Sequence, residues 1–103
     1  MAGCTEEPPE TKVVTVEATE FAFQPAQIEA EPGQTLRIEL VNQGQVSHNL
    51  HIEGSEVSTD TVQADGASAV EFTAPQQGEV RFYCTVPGHE QAGMTGTIVL
   101  TES

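Results

Sequence analysis

The sequence predicts an all-β domain, a sandwich or barrel of seven to eight short strands. Three observations carry that expectation. Apolar residues recur at every second position in short runs, turn residues interrupt those runs at close intervals, and no stretch sustains a helical period. A length of 103 residues allows one domain and leaves no room for two cores. Composition alone is ambiguous. Val, Ile, Leu and Phe number 23, set against 16 acidic and 3 basic residues and a net charge of −13. A chain so lean and so acidic lies near the range of disordered segments, and it is the periodicity that decides for a fold.

The chain divides into a tail, residues 1–11, and a domain, residues 12–103. The tail opens Met1-Ala2-Gly3-Cys4-Thr5-Glu6-Glu7-Pro8-Pro9-Glu10. Small-small-Cys ahead of an acidic, proline-rich stretch resembles the cleavage site of a bacterial or archaeal lipoprotein, in which the Cys becomes the lipid-bearing first mature residue. That reading makes Cys4 a lipid anchor, takes a leader as already removed and Met1 as an added start, and turns Thr5 to Thr11 into a short, stiff tether. The alternative is a free thiol in a tail. Two cysteines also allow a Cys4–Cys84 disulfide by count, against which the role of Cys84 argues below.

Within the domain, Val14 and Val16 alternate with Thr15 and Glu17, and Phe21 and Phe23 flank Ala22 as the apolar face of a second run. Ile28 follows, then the turn Glu31-Pro32-Gly33-Gln34. Leu36, Ile38 and Leu40 against Arg37 and Glu39 give the cleanest strand. Asn42 to Gln45 reads as a turn, Val46 to Glu53 as a strand, and Ser55 to Ser68 as mostly loop. Val70 and Phe72 alternate with Glu71, Ala74 to Gly78 turn, Val80, Phe82 and Cys84 alternate with Arg81 and Tyr83, and Thr97 to Leu100 closes the chain.

The chemistry gathers in two places. Phe82-Tyr83-Cys84-Thr85-Val86-Pro87-Gly88-His89-Glu90-Gln91-Ala92-Gly93-Met94 is a strand ending in Cys, followed by C-x4-H-x4-M on one loop. Upstream, Val46-Ser47-His48-Asn49-Leu50 offers a second imidazole. Thiolate, imidazole and thioether suit copper that cycles between two oxidation states, and His48, Cys84, His89 and Met94 make up a trigonal His2Cys set with a weak axial Met. Singly, each has an ordinary reading: a small buried Cys, a core Met, a loop or strand-end His. Jointly, in this order and spacing, they point to a metal. His51, three residues after His48, is sent to the opposite face by strand alternation and reads as a surface histidine.

These residues resemble the cupredoxins, the small type 1 blue copper proteins that include plastocyanin, amicyanin, auracyanin, rusticyanin and halocyanin. The likeness runs from about Lys12 to Thr101 and rests on F-Y-C at a strand end, P-G-H, A-G-M and His48-Asn49. It implies a cupredoxin-type Greek-key fold, one copper per chain, and one-electron transfer outside the cytoplasm. It also implies that Asn49 bonds across to Thr85 and ties the two ligand loops together. His89 would be the electron port, ringed by Val86, Pro87, Ala92, Gly93 and Leu50. The C-x4-H spacing is longer than in plastocyanin and closer to rusticyanin or auracyanin.

Charge and composition narrow the function further. A negative chain repels phosphate backbones, which speaks against nucleic acid, and no apolar run approaches the ~18 residues of a transmembrane helix. Cupredoxin domains of multicopper enzymes set His beside the Cys, whereas the neighbours here are Tyr83 and Thr85, and three histidines cannot build a second copper site. The expectation is a non-enzyme: a monomeric carrier, held at a membrane only through Cys4, exchanging electrons with redox partners such as cytochromes or membrane complexes that present basic docking surfaces. Copper delivery and a copper-free interaction module are the competing classes. The acidity suits either a basic partner or a high-salt environment.

Overall fold

The computed structural model describes residues 10–101, in which every regular element is a strand. The order is β1 (Lys12–Thr19), β2 (Ala22–Gln24), β3 (Gln27–Ala30), β4 (Thr35–Asn42), β5 (His51–Ile52), β6 (Ala67–Thr73), β7 (Glu79–Tyr83) and β8 (Thr95–Leu100). They form two four-stranded sheets, β2-β1-β4-β6 and β3-β8-β7-β5. The pairs β1/β4 and β3/β8 are parallel and the rest antiparallel. The lipoprotein-like residues and Cys4 lie outside the described residues.

Alternation builds the core as the pattern predicts. Val16 and Ala18 of β1 and Leu36, Ile38 and Leu40 of β4 are fully buried, and they face Ile28, Phe82 and Ile98 of the other sheet. Burying each Leu, Ile or Phe removes apolar surface worth roughly 1.5–3 kcal/mol, which is how so few apolar residues suffice. Phe23 and Phe82 cross the layers with ring centroids 5.4 Å apart. At Gly96 of β8 a methyl group would overlap the Phe82 ring, so the glycine is what lets that ring approach the strand. Val70 and Phe72 are only half-buried because β6 is an edge strand.

One expected partner of Phe23 is elsewhere. Thr19 pairs with Ala22, so Glu20 and Phe21 form a two-residue hairpin loop, and Phe21 sits at φ 66° with 45% of its surface exposed. The alternation of Phe21 with Phe23 is broken by the turn, not continued through it. Positive φ is uncommon for so bulky a residue.

Candidate metal centre

The site is assembled at one end of the sandwich from the loop after β4 and the loop between β7 and β8. Asn42, at the end of β4, organises the first. Its side chain donates to Val46 O (2.8 Å) and Val62 O (2.9 Å) and accepts from Gly44 N (2.8 Å), so one buried amide fixes the path from residue 43 to 48. His48 then pairs with Val62 through two backbone bonds, His48 N to Val62 O (3.0 Å) and Val62 N to His48 O (2.8 Å). The second loop is wound by short-range backbone bonds, His89 N to Val86 O and Met94 N to His89 O, and is fastened at its base by Cys84 N to Met94 O at 3.2 Å.

The two loops are tied by amide and hydroxyl. Asn49 Nδ2 donates to Thr85 Oγ1 at 2.9 Å, and Thr85 N donates to Asn49 Oδ1 at 2.7 Å. Consequently His48, Cys84 and His89, all buried, place one donor atom each within 4.8 Å of one another. Cys84 Sγ lies 3.4 Å from His89 Nδ1, and the imidazole centroids of His48 and His89 are 5.0 Å apart. Met94, also fully buried, closes the same loop.

The donor set fits a copper ion. His48 Nδ1 is buried and has no hydrogen-bond partner among the described residues, an arrangement that costs free energy unless something else takes its lone pair. Burial lowers the His48 pKa below its ordinary value, opposed by the Glu20 carboxylate, and keeps the ring in its neutral, ligating form. Cys84 is a free, buried thiol beside a second ring nitrogen.

A family model of copper binding proteins, the plastocyanin/azurin family, matches residues 10–101. The chain belongs to that family. It is a cupredoxin, and its cofactor is copper, one per chain, with the His48–Cys84–His89 cluster as the candidate site. Its fold superposes on auracyanin B with a TM-score of 0.80 at 25% identity, covering 94% of this chain and 92% of the other. Auracyanin A, a blue copper protein from Chloroflexus aurantiacus, gives 0.77 at 23% identity over 88% of this chain and 99% of that one. A reduced auracyanin from Roseiflexus castenholzii gives 0.79 at 21% identity over 87% and 97%. These last two speak for the fold alone. The copper-resistant cuproprotein CopI of Rubrivivax gelatinosus is 30% identical over 98 residues, and this cupredoxin spans 59% of its length.

Two expectations about the surroundings change. Leu50 is fully buried in the core and takes no part in a surface around His89. Strand position explains it: Leu50 precedes β5 on the inward side, next to the core residue Ile52. His89 retains only 8% of its surface, with Pro87, Ala92 and Gly93 exposed around it and Phe21 packed edge-on at 5.2 Å between centroids. His51 stands outside the cluster, half-buried and edge-on to Tyr83 at 5.4 Å. Sequence reading missed Asn42, Glu20 and Phe21. Only Asn42 left a usable signal, an Asn two residues before Gly at a strand end.

Proposed function

We propose that this cupredoxin is a type 1 copper electron carrier that works outside the cytoplasm and is not an enzyme. The observation that carries the reading is the convergence of His48, whose Nδ1 has no partner among the described residues, the Cys84 thiol and His89 in one buried cluster. His48, Cys84 and His89 would hold the ion and Met94 would supply a weaker thioether ligand. Copper supplies one-electron exchange between Cu(I) and Cu(II) when bound. The chain's own part is to exclude water and hold the ligands still. The Asn49–Thr85 pair locks the two loops together, and core strands fix both loop bases.

Under this reading His89 is the electron port. Redox proteins with basic docking faces are the partners, since 16 acidic residues against 3 basic ones favour such encounters. A lipid on Cys4 would keep the domain at a membrane surface. Adding Cu(II) should produce an intense thiolate-to-copper charge-transfer band and a reversible reduction potential, and Cys84→Ser should abolish the band. A colourless copper-loaded protein would sink the proposal.

The likeness to a copper-resistant cuproprotein favours one other reading, in which the site holds copper for sequestration or delivery. That reading requires ready release of Cu(I) to a competing chelator and slow electron self-exchange. The carrier reading requires the opposite on both counts.

A further inference from the structure

We propose that Glu20 is a positioning residue for the copper centre: its carboxylate holds His48 with the proton on Nε2, leaves Nδ1 free to ligate, and stabilises Cu(II) relative to Cu(I). The proposal rests on the reading of the cluster as a copper site. Glu20 belongs to the β1–β2 hairpin loop, remote in sequence from both ligand loops, yet its Oε1 lies 3.4 Å from His48 Nε2. The same oxygen accepts Gln45 N at 2.7 Å and Val46 N at 3.4 Å, so the carboxylate is held in place by the backbone of the loop that carries His48.

Space for this contact is built in. A Cβ added at Gly44 would overlap the Glu20 carboxylate and come within 3.1 Å of His48 Nε2, so the absence of a side chain there is what admits the acid. The two ring nitrogens of His48 therefore have different fates. Nε2 faces a carboxylate, which can only accept, and so carries the hydrogen; Nδ1, buried and without a partner among the described residues, keeps its lone pair for the ion that His48 would share with Cys84 and His89. A carboxylate behind a ligating imidazole fixes its tautomer and ring orientation and raises its basicity, and a fixed negative charge favours the more highly charged metal ion.

The test compares wild type with Glu20→Gln and Gly44→Ala. Gln keeps an oxygen for Gln45 N but removes the charge; Ala keeps the charge but expels it from the space beside His48. Redox titration of the copper-loaded proteins should show both variants losing Cu(II) preference by about tenfold, equivalent to a potential ~59 mV more positive for a one-electron couple. Nitrogen NMR of the metal-free proteins should show His48 protonated on Nε2 in wild type and a growing Nδ1–H fraction in both variants. A purely structural Glu20 would shift stability and leave potential and tautomer where they were, which would overturn the proposal. A rise in Gly44→Ala without one in Glu20→Gln would overturn it too, by assigning the effect to packing. Should wild type develop no charge-transfer band with Cu(II), the copper reading itself fails, and the metal-free tautomer still decides what Glu20 does to His48.

Discussion

The body of the sandwich and its copper end are stabilised by different means. In the body, Val16, Leu36, Ile38, Leu40, Phe82 and Ile98 bury apolar surface across two sheets, and any of several volume-conserving swaps would serve. At the copper end the ordering comes from a few polar side chains bonded to loop backbone: Asn42 to Val46 and Val62, Asn49 to Thr85, Thr59 to Leu50 N, Glu20 to Gln45 N. Non-directional contacts tolerate substitution, and directional ones specify where a ligand atom points. The body should thus set how stable the protein is, and the copper end what the metal experiences.

The largest expected effect breaks the body alone. Phe82→Ala empties the centre of the core beside Gly96 and Phe23 and should cost about 3–5 kcal/mol in chemical denaturation. The charge-transfer band of the remaining folded copper protein should keep its position, because Phe82 is not among the candidate ligands and the Asn49–Thr85 tie is left in place. A displaced band would mean that body and end are not separable.

Metal loading joins the two regions. If copper binds the folded state only, free copper at a hundred times its dissociation constant adds about 2.7 kcal/mol, and each kcal/mol raises the melting temperature of a domain this size by roughly 4–8 °C. Calorimetry of wild type with and without copper should show that increase. Cys84→Ser, which removes the thiolate, should lose most of it. An equal gain in both proteins would place the binding elsewhere.

Asn42→Ala attacks the end from its root. It leaves Val46 O and Gly44 N without their Asn42 partner and takes one of two donors from Val62 O, and loss of such bonds should cost about 1–3 kcal/mol. Unlike Phe82→Ala, it should also perturb the copper spectrum, since Val62 is bridged to His48. Urea denaturation and the visible spectrum, measured on one preparation, separate these outcomes.

The same division explains what was legible in the sequence. Period-2 alternation in β4 and β7 names core residues directly, and Cys84, His89 and Met94 fall on one loop at a spacing that speaks for itself. Asn49 and Thr85 could be paired only through family resemblance. Glu20 and Phe21 could not be found at all: their contacts with His48 and His89 arise because β1 runs parallel beside β4, so the hairpin loop after β1 leaves the sheet next to the loop after β4, at the end where the β7–β8 loop also arrives. No local pattern encodes that meeting. The same hairpin is why Phe21, apolar and in step with Phe23, leaves the core for the copper end.

Arg81 offers the finest probe of the boundary. From β7 it reaches Glu53 just beyond β5 at 2.8 Å and Glu90 of the ligand loop at 2.7 Å, with its guanidinium 5.0 Å from the Tyr83 ring centroid. All three charged partners are substantially exposed, so Arg81→Ala should cost no more than about 1 kcal/mol, and less in high salt. Its second consequence is local. Glu90 adjoins His89, and losing its anchor should speed amide hydrogen exchange from residue 88 to 93 while leaving β4 unchanged. If the faster exchange spread into β4, the ion pairs would belong to the body's stability. Confined to the ligand loop, it would show that even a surface Arg on a core strand acts on the copper end.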